Sequence, residues 1–151
     1  MATIGVDCSG KPDSLPMYMV AVKGDNCRII LVRHVPDFIR QRRPDWKPLV
    51  YSCYAFLAIK PLFRKGPLDT VLFDRDFDTA NLQKVQFYLE TLLQEYFKLP
   101  KRNLVEVGDD RDKPVAAADV LSKQARRGKV KISLWDPLIT EEFNLLLSKM
   151  K

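Results

Sequence analysis

Five aspartates carry the strongest chemical signal in the chain, because each follows a run of apolar residues. Asp7 follows TIGV, Asp74 and Asp76 follow TVLF, and Asp109 and Asp110 follow NLVEVG. In α/β sheets, ligands gather at the carboxyl ends of parallel strands. If these three runs are neighbouring strands, their acids converge on one small region. Clustered carboxylates repel one another unless a cation neutralises them. Oxygen-only ligands suit Mg²⁺ or Mn²⁺ rather than zinc. The single histidine, His34, excludes chemistry that needs two and reads as structural. Two hard cations ~3.5–4 Å apart can activate a water and stabilise the leaving oxygen of a phosphodiester.

The charge balance fits such a substrate. Lys plus Arg number 25 against 19 Asp plus Glu, a formal net charge of +6. A basic surface favours polyanions, though charge alone does not choose between nucleic acid and anionic lipid. Two of the basic clusters contain Arg42 with Arg43, and Arg126 with Arg127. Charge runs are usually solvated faces, but several of them around an acidic pocket strengthen the case for phosphate contact. Trp46, beside Arg42 and Arg43, reads either as a stacking platform for a base or as an anchor into the core.

The elements that must position these groups follow from periodicity and punctuation. Thr3 to Asp7, Met17 to Val22 and Cys27 to Val32 read as strands, the last two joined by Gly24-Asp25-Asn26 as an antiparallel hairpin. Lys47 to about Ile59 fits a buried helix, with a strand as the alternative. Thr70 to Phe73 and Asn103 to Val107 read as further strands. Between them Leu82, Val85, Leu89, Leu92 and Tyr96 mark one face of a helix ended by Pro100. Pro114 to Arg127 forms an Ala-rich helix stopped by Gly128, and Lys129 to Leu134 alternates as a strand does. Asp136 should cap a last helix with Pro137 in its first turn. The expected fold class is α/β, a mixed five-stranded sheet with flanking helices and a short C-terminal strand and helix extension. Strand one should lie between strands two and four, with strand five beyond strand four.

IGVDCSGK, the apolar strand after it and the order of strands resemble the ribonuclease H-like superfamily, with the type 2 ribonucleases H the nearest branch. The stretch GDDRDKPVAAADVLSKQAR resembles that family's aspartate followed by Ala-Ala-Ser-Ile-Ile-Ala-Lys and a nearby Arg. The resemblance implies that Asp7, Asp74 and Asp109 hold the metals. Ala117, Ala118 and Lys123 match the Ala-Ala and Lys of the family stretch. In other branches the last ligand comes from the helix after strand five, where Asp119 stands. Lys11 and Lys123 are then expected near the substrate phosphate. Cys8 replaces a metal-binding Glu of the family, and Ser9, Lys11 and Pro12 replace the Ala, Arg and last Gly of its substrate-reading turn.

The expected organisation is a ribonuclease H-like domain over residues 1–127, with residues 128–151 as an extension packed on it. The expected function is a divalent-metal-dependent nuclease using Mg²⁺ or Mn²⁺ on DNA, RNA or a hybrid. The alternatives are a non-catalytic nucleic-acid-binding or assembly module on the same scaffold, or a structural partner that docks through its last helix. An odd count of 3 cysteines rules out a disulfide framework and points to a reducing interior. No apolar stretch approaches the ~20 residues that span a bilayer, and the first residues lack the pattern of a signal peptide. A cytoplasmic protein without membrane contact is expected.

Overall fold

The structure, a computed structural model, describes residues 2–64, 69–75, 79–100, 103–109 and 111–150. Its elements in chain order are β1 (Thr3–Lys11), β2 (Ser14–Lys23), β3 (Asn26–Val32), α1 (Asp37–Arg42), α2 (Trp46–Ile59), β4 (Thr70–Asp74), α3 (Thr79–Phe97), β5 (Val105–Gly108), α4 (Lys113–Arg126), β6 (Leu134–Trp135) and α5 (Thr140–Lys149). They build an α/β fold around one mixed sheet of order β5-β4-β1-β2-β3-β6. β1, β2 and β3 are antiparallel neighbours, while β4 and β5 run parallel to β1. The expected placing of strand one between strands two and four is therefore found.

Three expectations need correction. The sheet has six strands, because Leu134–Trp135 pairs in parallel with Ile30–Leu31 at the far edge. β1 does not stop at Asp7. Its backbone continues through Cys8 and Ser9 because β2 offers partners for both in Met19 and Tyr18. The register then shifts between Ser9 and Lys11, where Gly10 takes φ +88°, a conformation that side chains disfavour. Asp136 does not cap the last helix, which begins at Thr140. Its carboxylate instead accepts the Arg33 backbone N–H at 2.8 Å and Nε at 2.6 Å, tying the chain to the end of β3.

The two faces of the sheet are covered differently. On one side Ile4, Val6, Met17, Met19, Ile30 and Val32 join α2, α3 and α5 in one large core. α2 is buried almost all round, as a helix apolar on every side must be. α3 turns Val85, Tyr88, Leu89, Leu92 and Leu93 inward. Tyr96, expected on that face, is 51% exposed. It lies at the rim where α2 ends, with Lys60 Nζ 4.3 Å from its ring centre. On the other side α4 packs Ala118 and Ala125 against Val20, Val22 and Ile29, with Val130 and Ile132 of the following segment beside them. No described helix is long and apolar enough to cross a membrane.

Candidate active site

The parallel register of β1 and β4 sets Gly5 opposite Leu72 and Val6 opposite Phe73. Asp7 and Asp74 are the next residues, so the two aspartates stand abreast on strands about 4.8 Å apart. Alternation along each strand puts them on the same face as Gly5 and Leu72. That is the α4 face. A Cβ on Gly5 would lie 2.2 Å from the Pro114 carbonyl carbon, so only glycine lets the start of α4 sit on β1. Two residues past Asp7 on the same side, Ser9 Oγ accepts a 2.5 Å hydrogen bond from Arg126 Nε. Asp7 thus lies beneath α4, between its first and last turns. It is 3% exposed, and its Oδ1 accepts the Cys8 N–H at 2.7 Å. A carboxylate at this depth needs hydrogen bonds or positive charge around it.

Asp74 in turn lies opposite Gly108 of β5, so Asp109 is the next residue along the same carboxyl edge. Its side chain is engaged within its own turn. Arg111 Nη2 lies 2.7 Å from Oδ2, and the Arg111 backbone N–H donates to Oδ1 at 2.9 Å. The Arg111 side chain first, then its backbone N–H, hold the Asp109 carboxyl down at about 2. Asp119 is on the flank of α4 and pairs with Lys123 at 3.1 Å. Among the described residues no three His, Cys, Asp or Glu side chains form a group able to hold a metal ion. Asp7 and Asp74 are brought together; Asp109 follows on the same edge but is paired with Arg111, and Asp119, on α4, is paired with Lys123. Asp76 and Asp110 lie outside the described residues.

Asp112 was not among the sequence candidates. It precedes α4, and its Oδ2 accepts the Asp109 N–H at 2.9 Å while its own N–H donates to the Asp109 carbonyl at 3.0 Å. The signal for it is its place just before Lys113-Pro114, where a helix with proline in its first turn begins. Cys8 faces away from Asp7. It packs toward the large core, and its Sγ donates to the Gly10 carbonyl at 3.2 Å. A glutamate there would point to the opposite side of the sheet from Asp7.

The expected phosphate contacts divide in the same way. Arg43 is committed to Asp45, Nε to Oδ1 at 2.6 Å. Tyr88 also donates to Asp45 Oδ2 at 2.9 Å, and Lys84 lies 3.9 Å from it. Burial opposes ionisation of Asp45, but the hydrogen bonds from Arg43 and Tyr88 outweigh it and hold the carboxyl below its ordinary value. Lys123 holds Asp119, and Arg126 also bonds the Pro16 carbonyl at 2.7 Å. Lys11, Arg42 and Arg127 are exposed. Lys47 pairs with Asp13 of the β1–β2 turn at 3.0 Å, which ties α2 to the hairpin end of β1. Trp46 packs against the large core as an anchor.

No family model, curated protein or solved structure matches this chain. The reading of the site therefore rests on its own geometry.

Proposed function

We propose that this chain is a divalent-metal-dependent nuclease built on a ribonuclease H-like scaffold. The observation that carries the reading is the pair Asp7 and Asp74, abreast on one face at the carboxyl edge of adjacent parallel strands. The strand order, with antiparallel β2 on one side of β1 and parallel β4 and β5 on the other, supports it. Two oxygen-bearing side chains fit Mg²⁺ or Mn²⁺, which commonly take one or two protein carboxylates and complete their shell with water and substrate phosphate. Such ions, when bound, supply an activated water and stabilise the leaving oxygen.

The chain's own residues do the rest. Burial and the Cys8 N–H fix the orientation of Asp7. Asp109 or Asp119 would be the further ligand, in place of its pairing with Arg111 or Lys123. Lys123, with Lys11 and the exposed Arg127, would face the phosphates of DNA, RNA or a hybrid. The odd count of 3 cysteines, Cys8, Cys27 and Cys53, favours a cytoplasmic location.

The test is cleavage of labelled DNA, RNA and hybrid in Mg²⁺ or Mn²⁺. Asp7→Asn and Asp74→Asn should each lower the rate by at least about a hundredfold, the scale of losing one electrostatic stabiliser of the transition state. Binding should persist, because phosphate contacts set affinity. One observation favours a second reading, a non-catalytic nucleic-acid-binding or assembly module. Asp109 and Asp119 are both neutralised by their own chain. Binding by the native protein without cleavage in either metal would select that module over the enzyme.

A further inference from the structure

The α4 face carries a second feature beside the aspartates. Ser9 lies opposite Tyr18, Tyr18 opposite Leu31, and Leu31 opposite Trp135. Register partners share a face, so these four residues form one transverse row across β1, β2, β3 and β6. Asp7 lies opposite Val20, two residues back along β1, so the row begins about 7 Å from the carboxylates.

α4 does not reach across the whole row. Beyond Arg126 the chain turns at Gly128, leaving a groove of about 470 Å³ over β2, β3 and β6. Tyr18, Leu31, Ile132 and Trp135 give it an apolar floor, and Arg126 and Lys131 stand among them. Trp135 is 55% exposed, a costly placing for so large a ring unless something covers it. Each aromatic ring has a guanidinium against it. Arg126 Cζ is 5.3 Å from the Tyr18 ring centre, and Arg33 Cζ is 5.3 Å from that of Trp135. No described residue that lines the groove is acidic.

We propose that this groove binds single-stranded nucleic acid, stacking bases on Tyr18 and Trp135 and pairing phosphates with Arg126 and Lys131. Aromatic rings interleaved with cations are how sequence-tolerant single-strand sites work, since every base has a stacking face. A duplex hides those faces inside its own stack and gains little from such a floor. β3 alone separates β2 from β6, so the two rings stand roughly 10 Å apart, within reach of one short splayed strand. The row ends at Ser9 and Arg126, beside Asp7. The inference rests on the proposed nuclease reading for its destination: a strand held in the groove is led to the Asp7–Asp74 edge.

The test uses the whole chain in EDTA, so that binding is read without cleavage. The probes are short fluorescein-labelled oligo(U) and oligo(dT), with matched duplexes. Trp135→Ala should weaken single-strand binding about tenfold or more and leave duplex binding unchanged. Trp135→Phe should recover most of the loss. In a Trp46→Phe background Trp135 is the only tryptophan, and oligonucleotide should quench its fluorescence. Lys131→Glu should weaken the same complex and lower its salt dependence. Unchanged single-strand affinity in Trp135→Ala would overturn the proposal. So would equal loss on duplexes, or a concentration-dependent dimer that buries Trp135 without oligonucleotide. The two readings separate cleanly. Quenching and binding with no cleavage in Mn²⁺ would uphold the groove and reject the nuclease. Cleavage lost in Asp7→Asn, with Trp135→Ala binding as the native protein does, would reject the groove alone.

Discussion

The two faces of the sheet are built to different thicknesses. On one, several helices, the sheet and the segment after α2 bury large side chains such as Tyr51, Phe63, Phe73 and Phe143 in a continuous core. On the other, a single helix turns small residues inward, Ala118, Ser122 and Ala125, and lies so close that Gly5 has no room for a methyl group. The thick layer removes most apolar surface from water and so carries most of the stability. The thin layer carries the acids and the aromatic row on one face: Asp7 lies beneath α4 beside Asp74, and Tyr18 and Trp135 lie past its last turn. The difference shows how one sheet can be both anchored and accessible.

The sharpest way to test that division is to damage each face separately. Leu89→Ala, in the thick core, should lower stability by about 2–5 kcal/mol in urea unfolding, because it leaves a cavity that rigid neighbours do not fill. An equal loss from Ala118→Gly would erase the distinction between the faces. Gly5→Ala should come next, at about 1–3 kcal/mol from overpacking against the Pro114 backbone. It should also impair any cleavage, since α4 must lift from β1; unfolding and cleavage measured on one preparation would show both.

A third effect depends on pH and belongs to the thick side. The Asp45 carboxyl is held below its ordinary value, so its stabilisation is complete above about pH 4 and is lost as pH falls through the depressed value. Asp45→Asn should flatten this acid limb in stability measured against pH. A limb of unchanged steepness would place the acid sensitivity elsewhere. The smallest effect should come from Lys123→Ala, at most about 0.5 kcal/mol, because an exposed pair one helical turn apart contributes little. A larger loss would mean that Lys123 does more than pair within α4.

Much of the scaffold was legible from periodicity. The hairpin was legible from its Gly24-Asp25-Asn26 turn chemistry, while the apolar run Thr70 to Phe73 and the heptad-like spacing of α3 bury enough surface to override competing local preferences. The misses have a common cause, which is tertiary partners that no local pattern reveals. Cys8-Ser9-Gly10 has turn chemistry, but β2 supplies the hydrogen bonds that extend it as a strand. Asp136 has the look of a helix cap, but Arg33, distant in sequence, claims its carboxylate. The placing of the acids after apolar runs located Asp7 and Asp74. It did not reveal that Arg111 would engage Asp109, because an ion pair within a turn depends on φ and ψ more than on spacing. Trp135 gave no local signal, since its meaning comes from a register shared with three other strands.

That register has a kinetic consequence. The β1–β2–β3 meander closes through short loops, whereas Ser133 Oγ meets the Ile29 N–H across 104 residues of chain. Distant pairings form late, after loop closure has been offset by the contacts already made. The aromatic floor of the groove is therefore among the last surfaces to assemble. On the proposed reading, a partly folded chain would have its basic residues but not its stacking platform, and capture of a strand would be reserved for molecules that have finished folding.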